Sequence, residues 1–150
     1  MSVPCEVAVK CVLPVIRAMA AQQLMKEHSL KQVQAAQLLK VSQPAISHYC
    51  RKIRGKAIDL ENDKEVNNLI EDMTESLAKD RLTRKELTQT ICRICRTIRA
   101  KGLLCKIHKA FEPAISIETC RFCQTADQCP LTPETALRKL ISHYATDLLE

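Results

Sequence analysis

The amino-acid sequence predicts a mainly α-helical chain in three consecutive parts, spanning residues 1–56, 57–82 and 83–150. Three observations support this. Glycine occurs only at Gly55 and Gly102, too rarely for the many tight turns of an all-β fold. Long stretches are rich in Ala, Leu, Lys, Gln and Glu, which lose little side-chain freedom in a helix. With two Tyr, two Phe and no Trp, the core must be built from aliphatic side chains.

The first helix is expected to open at Pro14, with Ile16, Met19, Ala20 and Leu24 recurring along one side. Ser29 is the expected N-cap of a second helix, about 30–40, which turns Val33, Ala36 and Leu39 inward. Ser42 caps a third, with Pro44 in its first turn; it runs to about Arg54 and stops at Gly55. The spacing Gln32-x3-Ala36-x3-Lys40-Val41-Ser42-x3-Ile46-Ser47-x-Tyr49 resembles the helix-turn-helix pattern. A small residue at Ala36 lets the two helices touch, while Val41, Ile46 and Tyr49 fill their shared core. Lys40 holds the turn position where that pattern usually has Gly, and a left-handed backbone there costs a non-Gly residue roughly 1 kcal/mol.

Charge is distributed unevenly. Residues 1–56 carry nine Lys and Arg against two acids, residues 57–82 three against eight, and residues 83–150 eleven against seven. A basic first block suits a polyanionic partner, and the acidic middle would repel one. The N-terminal end of the third helix is therefore expected to enter the major groove of double-stranded DNA. Gln43, Ser47 and His48 are placed to reach base edges, with Pro44 against a thymine methyl and the cap residue Ser42 counted among the DNA-binding residues. Arg51, Lys52, Arg54 and Lys56 suit phosphates, and Lys31 and Gln32 the flanking backbone. A helical hairpin with a solvated basic face is the alternative.

Residues 57–82 read as an acidic helix with Val66, Leu69, Ile70, Met73 and Leu77 on one stripe. The stripe needs a partner, either the chain's own helices or the same helix of a second subunit. Thr83 and Glu86 then form a capping box for a helix carrying Leu87, Ile91, Ile94 and Ile98 and ending by Gly102. A final helix is expected after Thr132 and Pro133, with Leu137, Leu140, Ile141, Tyr144 and Leu148 inward.

Six of the nine cysteines fall between positions 92 and 129: Cys92, Cys95, Cys105, Cys120, Cys123 and Cys129. The chain has no run of 18 apolar residues and no basic, apolar secretion leader, so a reducing cytoplasm is the expected compartment. There, thiols bind metal more often than they form bridges. One Cys-x2-Cys pair can be two small buried hydrophobes; two pairs with a cysteine between them point to metal. Zinc accepts four thiolates. Five or six thiols exceed that number, and neither pair has the glycine of a zinc knuckle, so an iron–sulfur cluster is favoured over zinc. Arg93, Arg96, Arg99 and Arg121 offer positive charge to an anionic cluster. Cys129 precedes Pro130, as a ligand cysteine does in ferredoxin-type endings. His108 is set aside as a ligand, and Cys5, Cys11 and Cys50 are read as isolated packing residues.

Leu13-Pro14-Val15-Ile16-Arg17-Ala18, the segment Gln43–Ser47, and Ile91-Cys92-x2-Cys95-x6-Gly102-Leu103-x-Cys105-x2-His108 together resemble the archaeal predicted transcriptional regulators. In that family an N-terminal helix-turn-helix precedes a cysteine-rich region. The resemblance covers roughly residues 4–125, maps the shared cysteines onto Cys92, Cys95, Cys105, Cys120 and Cys123, and leaves Cys129 outside. It implies a cytoplasmic, dimeric regulator with an iron–sulfur cofactor. The expected function is a homodimeric DNA-binding transcriptional regulator acting on a palindromic operator. It senses iron, sulfur or redox state through a [4Fe–4S] cluster in the C-terminal module. The alternatives are a structural zinc site or a metal-free thiol switch. An enzyme is not expected, for no phosphate-binding loop or catalytic constellation is present.

Overall fold

A computed structural model describes residues 3–52 and 55–125, the side chain of Thr125 excepted. The described residues are helical and contain no strand. No helix among them is long and apolar enough to cross a membrane. The expected C-terminal helix from Pro133, together with Cys129 and Arg54, lies outside the described residues.

The chain is helical well before Pro14. Helix α1 (Pro4–Val7) has a proline at its start, runs into a π-helical turn (Ala8–Val12), and continues as α2 (Leu13–Lys26). Pro14 thus sits inside a continuous helical rod instead of opening it. An internal proline donates no hydrogen bond, and its ring collides with the carbonyl four residues back. The widened turn supplies the room: the Leu13 N–H donates to the Ala8 carbonyl, five residues back. Helix α2 is buried over most of its girth, with Val15, Ile16, Ala18, Met19, Ala20, Ala21 and Leu24 in the core. Four helices pack on it: α3 (Gln32–Leu39), α4 (Gln43–Cys50), α5 (Lys64–Ala78) and α6 (Arg84–Ala100).

The second predicted helix is shorter than its pattern implied. Ser29 is not its cap, having a left-handed backbone (φ +54°). Helix α3 starts after Lys31, whose N–H donates to Gln34 Oε1 (2.8 Å). That start turns Ala35, Ala36 and Leu39 into the core and leaves Val33 55% exposed, where the sequence placed it inward. Helix α4 ends at Cys50, with Lys52 left-handed just beyond it, before the expected Arg54.

In the acidic middle, residues 57–63 form a connection of bends and a turn, closed by the Asp63 N–H donating to the Leu60 carbonyl (3.1 Å) and anchored by buried Leu60, and the helix itself begins only after Asp63. Asp63 Oδ1 accepts the Val66 N–H (3.0 Å), a side-chain cap. Val66, Ile70, Met73 and Leu77 are buried against α2 and α6, so the partner of this stripe is the chain itself. Across the same junction Lys101 Nζ meets Asp63 (2.7 Å) and Glu65 (3.0 Å). Lys101 and the Val66 amide hold the Asp63 carboxyl below its ordinary value. The two carboxylates raise Lys101 in turn. This tie is complete between the ordinary carboxylate and ammonium ranges. It weakens as pH falls through the depressed Asp63 value or rises through the elevated Lys101 value.

Helix α6 starts as its sequence predicted: the Glu86 N–H donates to Thr83 Oγ1 (3.3 Å), and the Thr83 N–H to Glu86 Oε2 (2.8 Å). Thr83→Ala should lower stability by about 1 kcal/mol in urea unfolding, with an unchanged slope; an unchanged midpoint would show that the cap contributes nothing. Leu87, Ile94 and Ile98 are buried. After Gly102 (φ +73°) the chain turns into α7 (Cys105–Phe111), loops back, and ends its described part in α8 (Phe122–Thr125). Buried side chains from Val7 to Leu104 form one continuous core.

Candidate functional site

Two features stand out on this scaffold. The first is the α3–α4 pair. Lys40 adopts φ +54°, ψ +41°, the left-handed turn anticipated at that position. Its conformation lets the Val41 N–H cap the Ala36 carbonyl (3.1 Å). Ser42 Oγ then accepts the Ala45 N–H (3.3 Å) to start α4. Ala36, Ile46 and Tyr49 are buried between the helices and α2, and Val41 is partly buried against them. The polar end of α4 faces outward: Ser42, Gln43 and Pro44 are exposed, and Ser47 and His48 half-buried. Gln43 Nε2 donates to Gln32 Oε1 (3.0 Å), joining the first turns of the two helices. Lys31, Arg51, Lys52 and Lys56 are exposed around this face. No Asp or Glu occurs from His28 to Ile58. The fold therefore presents the predicted contact residues together, Arg54 apart.

The second feature is a pocket of about 260 Å³ between the start of α1, the end of α6, α7 and α8. Its wall includes Cys105, Cys120, Cys123, Arg99 and His108, set among Leu104, Ile115, Ile117 and Phe122. Three of the five predicted cysteines thus come together on one cavity. Neither Cys95 nor Cys92, one turn earlier on α6, lines the pocket, though Cys95 lies near enough to act electrostatically on Arg99. Burial, followed by repulsion from Cys123 and Cys120, pushes the Cys105 thiol above its ordinary value. Among the described residues, no group of three or more His, Cys, Asp or Glu side chains is placed to hold a metal ion.

Arg99 is the charged centre of the pocket, with only 8% of its surface exposed. Burial opposes its charge, but a hydrogen bond with Cys123 and the attraction of the Cys5, Cys123 and Cys95 sulfurs outweigh that and raise its pKa. Of the arginines expected around the thiols, Arg93 and Arg121 are exposed and Arg96 is half-buried.

No family model, curated protein or solved structure matches this chain. The site must therefore be understood from its own residues. Two of them were set aside in the sequence: His108, now on the pocket wall, and Cys5, whose Sγ accepts a hydrogen bond from Arg99 Nη1 (3.2 Å). Cys11 is in the core, and Cys50 Sγ contacts Met25 Sδ (3.5 Å), so both serve packing as expected.

Proposed function

We propose that this chain is a DNA-binding transcriptional regulator, cytoplasmic, homodimeric and without enzymatic activity, of the archaeal helix-turn-helix and cysteine-rich kind that its motifs resemble. One observation carries the reading: the left-handed Lys40 turn aims an exposed, acid-free α4 N-terminus away from the core. Ser42, Gln43, Pro44, Ser47 and His48 read base edges; Arg51, Lys52 and Arg54, with Lys31 and Gln32, grip the backbone. A dimer spans two half-sites of a palindrome, and its contact uses a surface other than the α5 stripe, which is already buried.

The cysteine pocket is the sensing element, and its donors fit an iron–sulfur cluster, [4Fe–4S] in our reading. Cys105, Cys120 and Cys123 supply three thiolates, with Cys95 and Cys92 as further thiols on α6. A single zinc needs every sulfur about 2.3 Å from one point. Three thiols on one cavity wall would give three metal atoms of a cluster a thiolate each. Arg99 supplies buried positive charge beside a group that is anionic once thiolates ligate it. Such a cluster supplies sensitivity to iron, sulfide and oxidants. A structural zinc site or a metal-free thiol switch is the competing reading of the same cysteines.

Two measurements test this. Selection from random duplexes should enrich a palindrome whose affinity falls steeply with salt. An Arg51→Ala, Lys52→Ala double variant should reduce the log–log salt slope by about 2, one for each lost phosphate contact. A protein that retains no duplex at low salt is not a DNA reader. Anaerobic purification should yield iron and acid-labile sulfide in about equal amounts; stoichiometric zinc without colour would make the cysteines structural.

A further inference from the structure

The pocket between α1, α6, α7 and α8 has a composition that metal binding does not account for. Most of its wall is apolar, with Val3, Pro4, Leu104, Ile115, Ile117 and Phe122 contributing. Among the described residues that line it there is no Asp or Glu, and Arg99 is the one permanent charge. Arg99 is 8% exposed, so its guanidinium has given up nearly all of its water. Sulfur is a weak replacement: Nη1 donates to Cys5 Sγ (3.2 Å), and Cys123 also bonds the guanidinium. Nε is buried and has no hydrogen-bond partner among the described residues. A buried cation met by sulfur, with one N–H unsatisfied, is costly unless an anion completes it.

The anion must also suit an apolar wall. Phosphate or sulfate needs donors on every side, and this wall offers few. A cavity of about 260 Å³ is at the small end for organic ligands. We propose that the pocket binds a small organic anion, a monocarboxylate with a short aliphatic or aromatic body. Its head pairs with Arg99, and its body lies against Leu104, Ile115, Ile117 and Phe122. A slight turn of the guanidinium presents the Nε–H to a carboxylate oxygen, a charge-assisted bond. The inference rests on the cavity and Arg99 and goes beyond the cluster reading; the two occupants would compete for the same space. Only its regulatory consequence rests on the proposed function. The wall joins Val3 and Pro4, at the start of α1, to α7 and α8, and the rod of α1, the π turn and α2 supports α3 and α4. A ligand in the cavity would brace the end of that rod.

The test titrates the full-length chain, reduced and freed of any metal by a chelator under anaerobic conditions, with octanoate, 1-octanol and acetate in a calorimeter. Octanoate should bind about tenfold more tightly than either control or better, because it alone combines the charge with the apolar body. Arg99→Gln should weaken octanoate about tenfold or more, whereas Arg93→Gln, on the exposed face of α6, should leave it unchanged. Iodoacetamide labelling followed by mass spectrometry places the ligand on the wild-type chain. Saturating octanoate should slow the labelling of Cys105, Cys120 and Cys123, which line the cavity, and not that of Cys92, which does not. If Arg99→Gln fails to fold by circular dichroism, the ligand comparison and the labelling decide. The proposal is overturned by absent octanoate binding, by octanol binding as tightly, by full affinity in folded Arg99→Gln, or by unchanged labelling at saturation. Iron and acid-labile sulfide in the untreated protein score the cluster reading separately, so either can fall alone.

Discussion

A Cys105→Ser, Cys120→Ser, Cys123→Ser variant should purify with less than about a tenth of the wild-type iron and still unfold cooperatively. The first half follows from the pocket. These are the predicted cysteines that share its wall; Cys95 and Cys5 act electrostatically on Arg99 without lining it. The second half follows from the core, which contains none of the three. Helix α6 keeps its capping box and its buried Leu87, Ile94 and Ile98 without them. Two single variants sharpen the result. Cys92→Ser should keep most of its iron, because Cys92 does not line the cavity although its sequence spacing matches that of Cys120 and Cys123. Cys11→Ser should keep its iron but lose stability, since it buries a hydroxyl among Val7, Ala8, Val12 and their neighbours. Iron analysis against urea midpoints separates the two kinds of cysteine. Equal iron loss in Cys92→Ser and Cys120→Ser would mean that the pocket is not the binding site.

The parts of the fold that the sequence revealed are those fixed by neighbours three or four residues apart. The Thr83–Glu86 box, the Ser42 cap and the left-handed Lys40 turn are local chemistry, and each is found at its predicted position. Pro14 was ambiguous because a proline fits either the first turn of a helix or a widened turn within one. Only the helical residues ahead of it decide between these. Val33 faces outward because the start of α3, which sets the phase of so short a helix, depends on Lys31 and Gln34 and not on Ser29. The α5 stripe showed that a partner existed without showing which one, since an apolar face is the same whether its own α2 or a second subunit covers it. The cysteine site was legible in its C-terminal half. The Cys-x2-His spacing at Cys105 and His108 was available as a signal, but a lone histidine carries little weight without its surroundings. Cys5 had no signal, because a contact with Arg99 across most of the chain leaves no trace in local spacing.

Gly55→Ala should destabilise the protein by about 2–4 kcal/mol, the largest loss expected from adding one methyl group. The residue has φ +76°, where a side chain costs roughly 1 kcal/mol on conformational grounds alone. Space is the larger problem. A Cβ at Gly55 would lie 2.5 Å from Ala18 Cβ and 2.7 Å from the Pro14 carbonyl oxygen. Neither neighbour can swing aside, since one is backbone and the other is a methyl fixed directly to a buried helix. Gly102 provides the control. Its φ is +73°, but the nearest atom to an added Cβ is Cys105 Sγ at 3.8 Å, an ordinary contact. Gly102→Ala should therefore cost only the conformational part, about 1 kcal/mol. The difference in urea midpoints isolates the steric part, and matching losses would show that the chain after the reader is not pressed against α2. Pro14 and Ala18 lie on the first turns of α2 beyond the π turn. Gly55 fastens the segment following α4 to this stretch of α2. In Gly55→Ala the α3–α4 pair should be displaced from α2, and on the proposed function affinity for DNA should fall further than the loss of folded protein accounts for.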